Sequence, residues 1–326
     1  MARSNPGANP HKKVTRTPIP SPTRTAVPSP SPTRTLPTAT PTGTSTSSSI
    51  KTVFLIVEEN HNWSSVFGSS SAPYINNTLL PQASYATQYY NPPNLHPSEP
   101  NYLWLEAGTN CFSDTGCITD DNPPSSHATN STAHLVTLLD KAGVSWKAYQ
   151  ENITDGSCPV ASSGLYAVKH NPFMFFTNVT SNSTYCTSHE RSYSDLSGDL
   201  ANNAVARYNF ITPNLCDDGH NTCSPENDQV KQTDDWLSTA IPTIMQSQAY
   251  KNGGAIFITW DEGEGGDGPI GMIVLSPLAR GHGYHNAIHY THSSTLRTME
   301  EIFHVSPYLA DAANATDLSD LFSTFP

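Results

Sequence analysis

The chain has 326 residues, with 16 Lys and Arg against 28 Asp and Glu, a formal net charge of −12 at pH 7. Six of the basic residues and none of the acids lie in residues 1–50, so residues 51–326 hold 10 basic against 28 acidic groups, a formal charge of −18. A field of that sign repels nucleic acid and anionic bilayers; it argues against a polymer-binding protein and for a small substrate, or one held by a locally inverted charge.

Residues 1–50 contain 10 of the 27 prolines and the repeated phrase Ser-Pro-Thr-Arg-Thr at 21–25 and 31–35. They have almost no apolar residue larger than Val, so they cannot bury enough surface to offset chain entropy, and a disordered or extended stalk is predicted. Stalks of this composition separate a domain from a cell wall or membrane. No apolar run reaches the roughly 18 residues a membrane span needs, and the N-terminus lacks the apolar core of a signal peptide. The six cysteines fall as Cys111/Cys117, Cys158/Cys186 and Cys216/Cys223, none with the CxxC spacing of a metal site. Three sequence-local disulfides in an oxidising compartment are expected, hence a secreted or cell-surface protein.

From residue 51 onward the pattern alternates. Thr52 to Val57 is a strongly apolar, β-branched run that reads as a buried strand and leads into Glu58-Glu59-Asn60. Leu135 to Ala142 has helical periodicity closed by Gly143, and Val144 to Tyr149 reads as a strand. Tyr208 to Thr212 is a further strand, Trp236 to Ser247 a helix, and 255–260 a strand that runs into Asp261-Glu262-Gly263. Met272 to Leu275 is a strand and Ser294 to Phe303 a helix. This alternation predicts one α/β domain over 51–326, with a mainly parallel sheet flanked by helices on both faces. The Asn-, Ser-, Pro- and Gly-rich stretches 61–130 and 152–205 are expected as long surface excursions that build a pocket.

Ligands of open α/β sheets bind beyond the carboxyl ends of the strands, which brings the two acidic clusters to one crevice. Like charges there raise each other's pKa, and a divalent cation held by oxygen ligands relieves them, so a metal site is predicted. Four further groups lie beside predicted strand or helix ends: His96, Asp218 with His220, His292, and Ser131-Thr132. Either hydroxyl at a helix entry serves equally as an N-cap or as a nucleophile, and isolated histidines are more often structural than catalytic. Gly263-Glu264-Gly265-Gly266-Asp267-Gly268 matches GxGxxG but sets two acids where a pyrophosphate would lie and leads into a strand. A dinucleotide site is therefore rejected, and the GxSxG, Walker A and HExxH motifs are missing from the sequence.

Seven blocks in order over about 52–303 resemble the phosphoesterase family that groups acid phosphatases with nonspecific phospholipases C, within the alkaline phosphatase superfamily. They are Glu59-Asn60-His61, Pro97-Ser98-Glu99-Pro100-Asn101-Tyr102, Ser145-Trp146-Lys147-Ala148-Tyr149, Lys169-His170-Asn171-Pro172-Phe173, Thr212 through His220, Thr259-Trp260-Asp261-Glu262-Gly263 and Tyr290-Thr291-His292-Ser293. The resemblance implies an alkaline phosphatase-like three-layer fold and one divalent metal ion held by Glu59, Asn60, Asp261 and Glu262. It further implies His96, His220 and His292 around the phosphoryl group, and a Ser or Thr nucleophile on the metal. Ser131 aligns best with that nucleophile by its distance from Leu135 and Trp146, with Thr132 open; Asp218 is a further candidate for the site, not for the nucleophile. Asn62-Trp63 replaces the family's usual Ser-Phe or Ser-Tyr, a change expected to affect packing rather than ligation. The implied activity is hydrolysis of a small phosphoric ester through a phosphoseryl intermediate. Acid phosphatase stands ahead of a phospholipase C-like diesterase because the chain ends at 326 without the extra carboxyl-terminal domain of larger members. The competing class is a noncatalytic metal-binding adhesion module on a stalk.

Overall fold

The computed structural model describes residues 49–326; the predicted stalk lies outside them except for Ser49 and Ile50, of which Ile50 is buried. Eight strands form the main sheet: β1 (Thr52–Glu58), β2 (Ser84–Ala86), β3 (Trp146–Gln150), β4 (Glu190–Ser192), β5 (Tyr208–Thr212), β6 (Gly254–Trp260), β7 (Met272–Leu275) and β8 (Tyr284–Asn286). Their order across the sheet is β8-β2-β7-β6-β1-β5-β3-β4. All pairings are parallel except those of β7 with β6 and β2, so β7 alone runs against the other seven. The mainly parallel α/β sheet expected from the alternation of elements is therefore the fold observed.

Every residue of β6 is buried, as is all of β1 after Thr52. Strands covered on both faces read as continuous apolar runs rather than as alternating ones, which is why both were visible in the sequence. The four principal helices are α1 (Ser98–Ala107), α2 (Leu135–Lys141), α3 (Gln229–Gln246) and α4 (His292–Phe303).

Helix α3 begins seven residues before the predicted Trp236. Its first two turns are polar and escape a search for apolar periodicity, yet Asp228 caps the helix by accepting from the Lys231 amide. Those turns anchor neighbouring loops: Asp234 accepts from the amides of Tyr74 and Ile75, and Gln232 donates to the carbonyls of Cys216 and Asn221.

The expected surface excursions are a correction. Within 61–130 lies α1, nine of whose ten residues are buried, and within 152–205 lie Phe173, Met174, Phe175 and Phe176, all fully buried. Pro100 and the polar start Ser98-Glu99 hide α1 in the sequence, although proline is tolerated in a first helical turn, where the amide has no intrahelical partner. The helix closes on Gly108 at φ 67°, a left-handed cap. Trp63 fills space over Gly271 and packs edge-on against Trp260 at 6.1 Å, so the Asn62-Trp63 variation is absorbed by packing.

The disulfides are Cys111–Cys117, Cys158–Cys186 and Cys216–Cys223, with sequence separations of 6, 28 and 7. In the loop-entropy account a 28-residue closure is worth about 3–4 kcal/mol and a six-residue one about 2 kcal/mol. Replacing Cys158 and Cys186 together by Ser should therefore lower the urea-unfolding free energy by more than replacing Cys111 and Cys117. Equal losses in the two double variants would contradict that ordering.

Candidate active site

Three neighbouring strands deliver their carboxyl ends to one place. β1 lies between β5 and β6, with Glu58 level with Trp260, so the next residues, Glu59 and Asp261, emerge side by side. The backbone stitches these ends together: Asp261 N donates to Glu58 O at 2.9 Å, Glu59 N to Asp218 O at 2.9 Å, and Asn60 N to Asp261 Oδ1 at 3.0 Å. Glu59, Asp218 and Asp261 are all 0% exposed.

Taking three carboxylates out of water together is costly, and it pushes their pKa values up. Burial, reinforced by the charges of Asp261 and Asp218, raises the Glu59 pKa well above the carboxylate range. Asp218 is raised likewise, first by burial and then by Asp261, and burial lifts Asp261 to about 6. Asp261 Oδ2 is buried and has no hydrogen-bond partner of ordinary geometry.

His170 lies among them, with Nε2 3.1 Å from Glu59 Oε1 and Nδ1 3.2 Å from Asp218 Oδ2. Burial, with the charges of Lys169 and His220, holds its pKa well below the usual value, so the ring is neutral and has a single N–H. One of its two contacts therefore sets a lone pair against a carboxylate oxygen, an arrangement that a proton or a cation must relieve. Ligand atoms of Glu59, His170 and His220 lie within 4.8 Å of one another. Together with the orphaned Asp261 oxygen, this donor set fits a metal ion that accepts mixed imidazole and carboxylate ligands.

The aliphatic hydroxyl bonded to these acids is that of Ser98, the first residue of α1. Its Oγ donates to Glu59 Oε2 at 3.0 Å, while Tyr102, one helical turn on, donates to Glu59 Oε1 at 2.8 Å. Ser98 also lies near enough to Asp261 to favour its charged form.

The residues singled out in the sequence divide accordingly. Glu59, Asp218, Asp261 and His220 converge. Asn60 contributes its backbone amide to Asp261. Glu262 is engaged by His96 Nδ1 and, at 3.4 Å, by Asn101; the other ring nitrogen of His96 meets Asp267 Oδ1 at 3.0 Å.

His292 is the residue expected at the phosphoryl group. It is fully buried at the first turn of α4, with Nε2 on the carbonyl of Asp261 and Nδ1 3.1 Å from Tyr89 Oη. Both nitrogens are occupied, and burial lowers its pKa to about 4. Ser131 bonds within its own loop, through the Thr129 hydroxyl and the Ala133 amide, and Thr132 is exposed. Neither caps α2, whose N-cap residue is His134. Ser98, His170 and Lys169 escaped the residue-by-residue reading, although all three stand in blocks that carried the family resemblance.

Gly219, between Asp218 and His220, has φ 88°, and a Cβ there would lie 2.6 Å from the Thr233 hydroxyl. Only glycine makes that turn without strain, and Cys216–Cys223 closes the loop around it.

A family model described as the phosphoesterase family matches residues 85–306. A Kluyveromyces lactis protein named "Probable acid phosphatase" is 27% identical over 294 residues, covering 84% of this chain and 65% of its own length. The chain thus spans just under two thirds of that relative. A Mycobacterium tuberculosis protein named phosphatidylinositol-3-phosphatase is 28% identical over 271 residues, covering 83% of this chain and 82% of its own. Among solved structures, a Vibrio parahaemolyticus protein of the alkaline phosphatase superfamily matches with a TM-score of 0.52 at 10% identity, over 84% of this chain and 72% of that one. That likeness is one of fold.

The titration of Asp261 has a consequence for stability. A carboxylate whose folded pKa is raised, here from 3.8 to about 6, contributes stability at low pH that is lost as pH rises through the folded value. Chelator-treated protein should melt at lower temperature at pH 7 than at pH 5 on this account. A divalent cation should reverse more of the loss at pH 7 than at pH 5. A cation effect of the same size at both pH values would count against metal binding at these carboxylates.

Proposed function

The chain belongs to the phosphoesterase family, and on that premise we propose that it hydrolyses phosphoric monoesters, as an acid phosphatase does, through a phosphoseryl intermediate on Ser98. The observation that carries this reading is the Ser98 hydroxyl, 3.0 Å from Glu59 Oε2 at the start of a buried helix, beside Asp261 and His170. The Kluyveromyces and Mycobacterium relatives are both named as phosphatases, which supports the monoester assignment.

Ser98 Oγ attacks phosphorus, and its proton passes to Glu59 Oε2, the acceptor it already faces. Tyr102 holds the other Glu59 oxygen, so the carboxylate keeps its orientation. The positive end of α1, a ten-residue helix, stabilises charge on the transferring group. Glu59, Asp261, His170 and His220 would hold a divalent cation, which when bound neutralises phosphoryl charge and acidifies the serine hydroxyl. We assign proton exchange with the leaving alcohol and the incoming water to His96. Support for this comes from its partial exposure and its contacts with Glu262 and Asp267. When water cleaves the phosphoseryl bond, Glu59 returns the proton to Ser98. Three disulfides suit an exported protein. No described helix is long and apolar enough to cross a membrane.

Ser98→Ala should abolish turnover of p-nitrophenyl phosphate, by a factor of about 10³ or more, with thermal stability and metal content near wild type. Ser131→Ala should keep turnover within about threefold, because its hydroxyl serves only its own loop. Acid quenching after incubation with labelled phosphate, followed by peptide mapping, identifies the residue directly. Label on Ser131 or Thr132 would overturn the assignment. Glu59→Gln and Asp261→Asn should each lower bound metal together with activity, and full metal occupancy in both would remove them from the ligand set.

A further inference from the structure

The crevice has a charge problem that a metal alone does not solve. Glu59, Asp218 and Asp261 bring three carboxylates, so one divalent ion still leaves the group negative, while the substrate of a phosphomonoesterase is a dianion near neutral pH. A second positive charge is needed, in a domain whose formal charge is −18.

Lys169 meets that need. Its field bears on Glu59, Asp218, Asp261 and Glu262 together. Lys147, Arg191, Lys231, Arg280 and Arg297 are each paired with an acid outside this group. The ammonium of Lys169 lies 2.9 Å from Asp121 Oδ2 and 3.3 Å from His220 Nε2. An ammonium has three N–H donors, so one remains free for a ligand, and a second is released when the His220 Nε2 lone pair turns to a metal ion. The side chain is 23% exposed, open enough for a substrate to reach.

Its position is tied to the proposed nucleophile. Asp121 Oδ1 accepts from the amide of Glu99, the residue after Ser98, at 3.0 Å. Glu99 in turn fixes the same loop through the Asn122 amide at 2.8 Å and His127 Nδ1 at 2.7 Å. Hydroxyl and cation are thus both held at the first turn of α1, one directly and one through a single carboxylate.

We infer that Lys169 is the substrate-binding cation of this site, donating to a non-bridging oxygen of a phosphoryl dianion, with Asp121 as its positioning residue. The inference rests on the phosphoric-ester reading for its substrate and deepens it by naming the residue that recognises the charged group. No covalent step is assigned to Lys169.

The test uses metal-loaded full-length protein and two readouts, calorimetric binding of inorganic phosphate and hydrolysis of p-nitrophenyl phosphate. Lys169→Gln should weaken phosphate binding and raise KM, each by about 30-fold or more, while kcat and metal content stay within about threefold. Lys169→Arg, which keeps a cation, should recover phosphate affinity to within about fivefold of wild type. Phosphate affinity unchanged in Lys169→Gln, or lost equally in Lys169→Arg, overturns the inference, as does a fall in kcat with KM unaltered. A wild-type protein that binds phosphate through Lys169 but hydrolyses no ester would defeat the proposed function and leave this inference standing.

Discussion

The constraint on which this molecule is organised is the burial of like charges at the ends of adjacent parallel strands. β1 pairs with β5 on one side and β6 on the other, so the chain segments leaving all three strands are contiguous, and each brings an acid: Glu59, Asp218 and Asp261. Nothing in strand packing favours that arrangement, since apolar residues at those positions would avoid the desolvation of three carboxylates. The acidic character continues behind the site. Glu58, pointing away from Glu59 as strand alternation requires, is fully buried without a hydrogen-bond partner, and burial, then Asp218 and Glu151, keeps its carboxyl protonated well above the usual range.

The surroundings divide between groups that keep the acids fixed and groups that offset their charge. Tyr102 donates to Glu59 and stacks on His170 with ring centroids 5.2 Å apart, so one aromatic residue orients both. His292 secures the turn after β6 through the Asp261 carbonyl, and Tyr89, bonded to both His292 and Thr295, fixes the ring. Here a histidine shapes the backbone that carries Asp261. Behind Glu58, Trp236 and Asn214 satisfy the oxygens of Glu151, so that carboxylate is held by neutral donors.

Legibility in the sequence followed burial on both faces. β1, β5, β6 and β7 are runs of buried apolar residues and were recognisable from composition, and the acids after β1 and β6 stood out against them. The short strands β2, β4 and β8 have three residues each, too few for any period to show. Helix α1 was hidden for a different reason: its buried face includes Ser98, Glu99, Asn101 and Glu106, polar residues that each bond to groups outside the helix, so apolar periodicity is weak. The nucleophile expectation fell on Ser131 by its distance from Leu135 and Trp146, next to a helix that was visible, whereas α1 was not. For His292, a position before a legible helix says nothing about which way the ring faces.

The sequence by itself determined that a large acidic α/β domain follows a segment of different composition, that its sheet is mainly parallel, and that Glu59 and Asp261 close two central strands. Those features are local: β-branched runs, alternation of elements and acids adjoining them suffice to define each. The tertiary structure decided which groups share the crevice. Ser98, His170 and Asp218 come from three separate segments, and only strand order, the Gly219 turn and the packing of α1 against the sheet ends bring them within hydrogen-bonding reach of one another or of Glu59. Side-chain direction, which separates Ser98 from Ser131 and His170 from His292, depends on contacts between residues distant in the chain, and no local pattern encodes it.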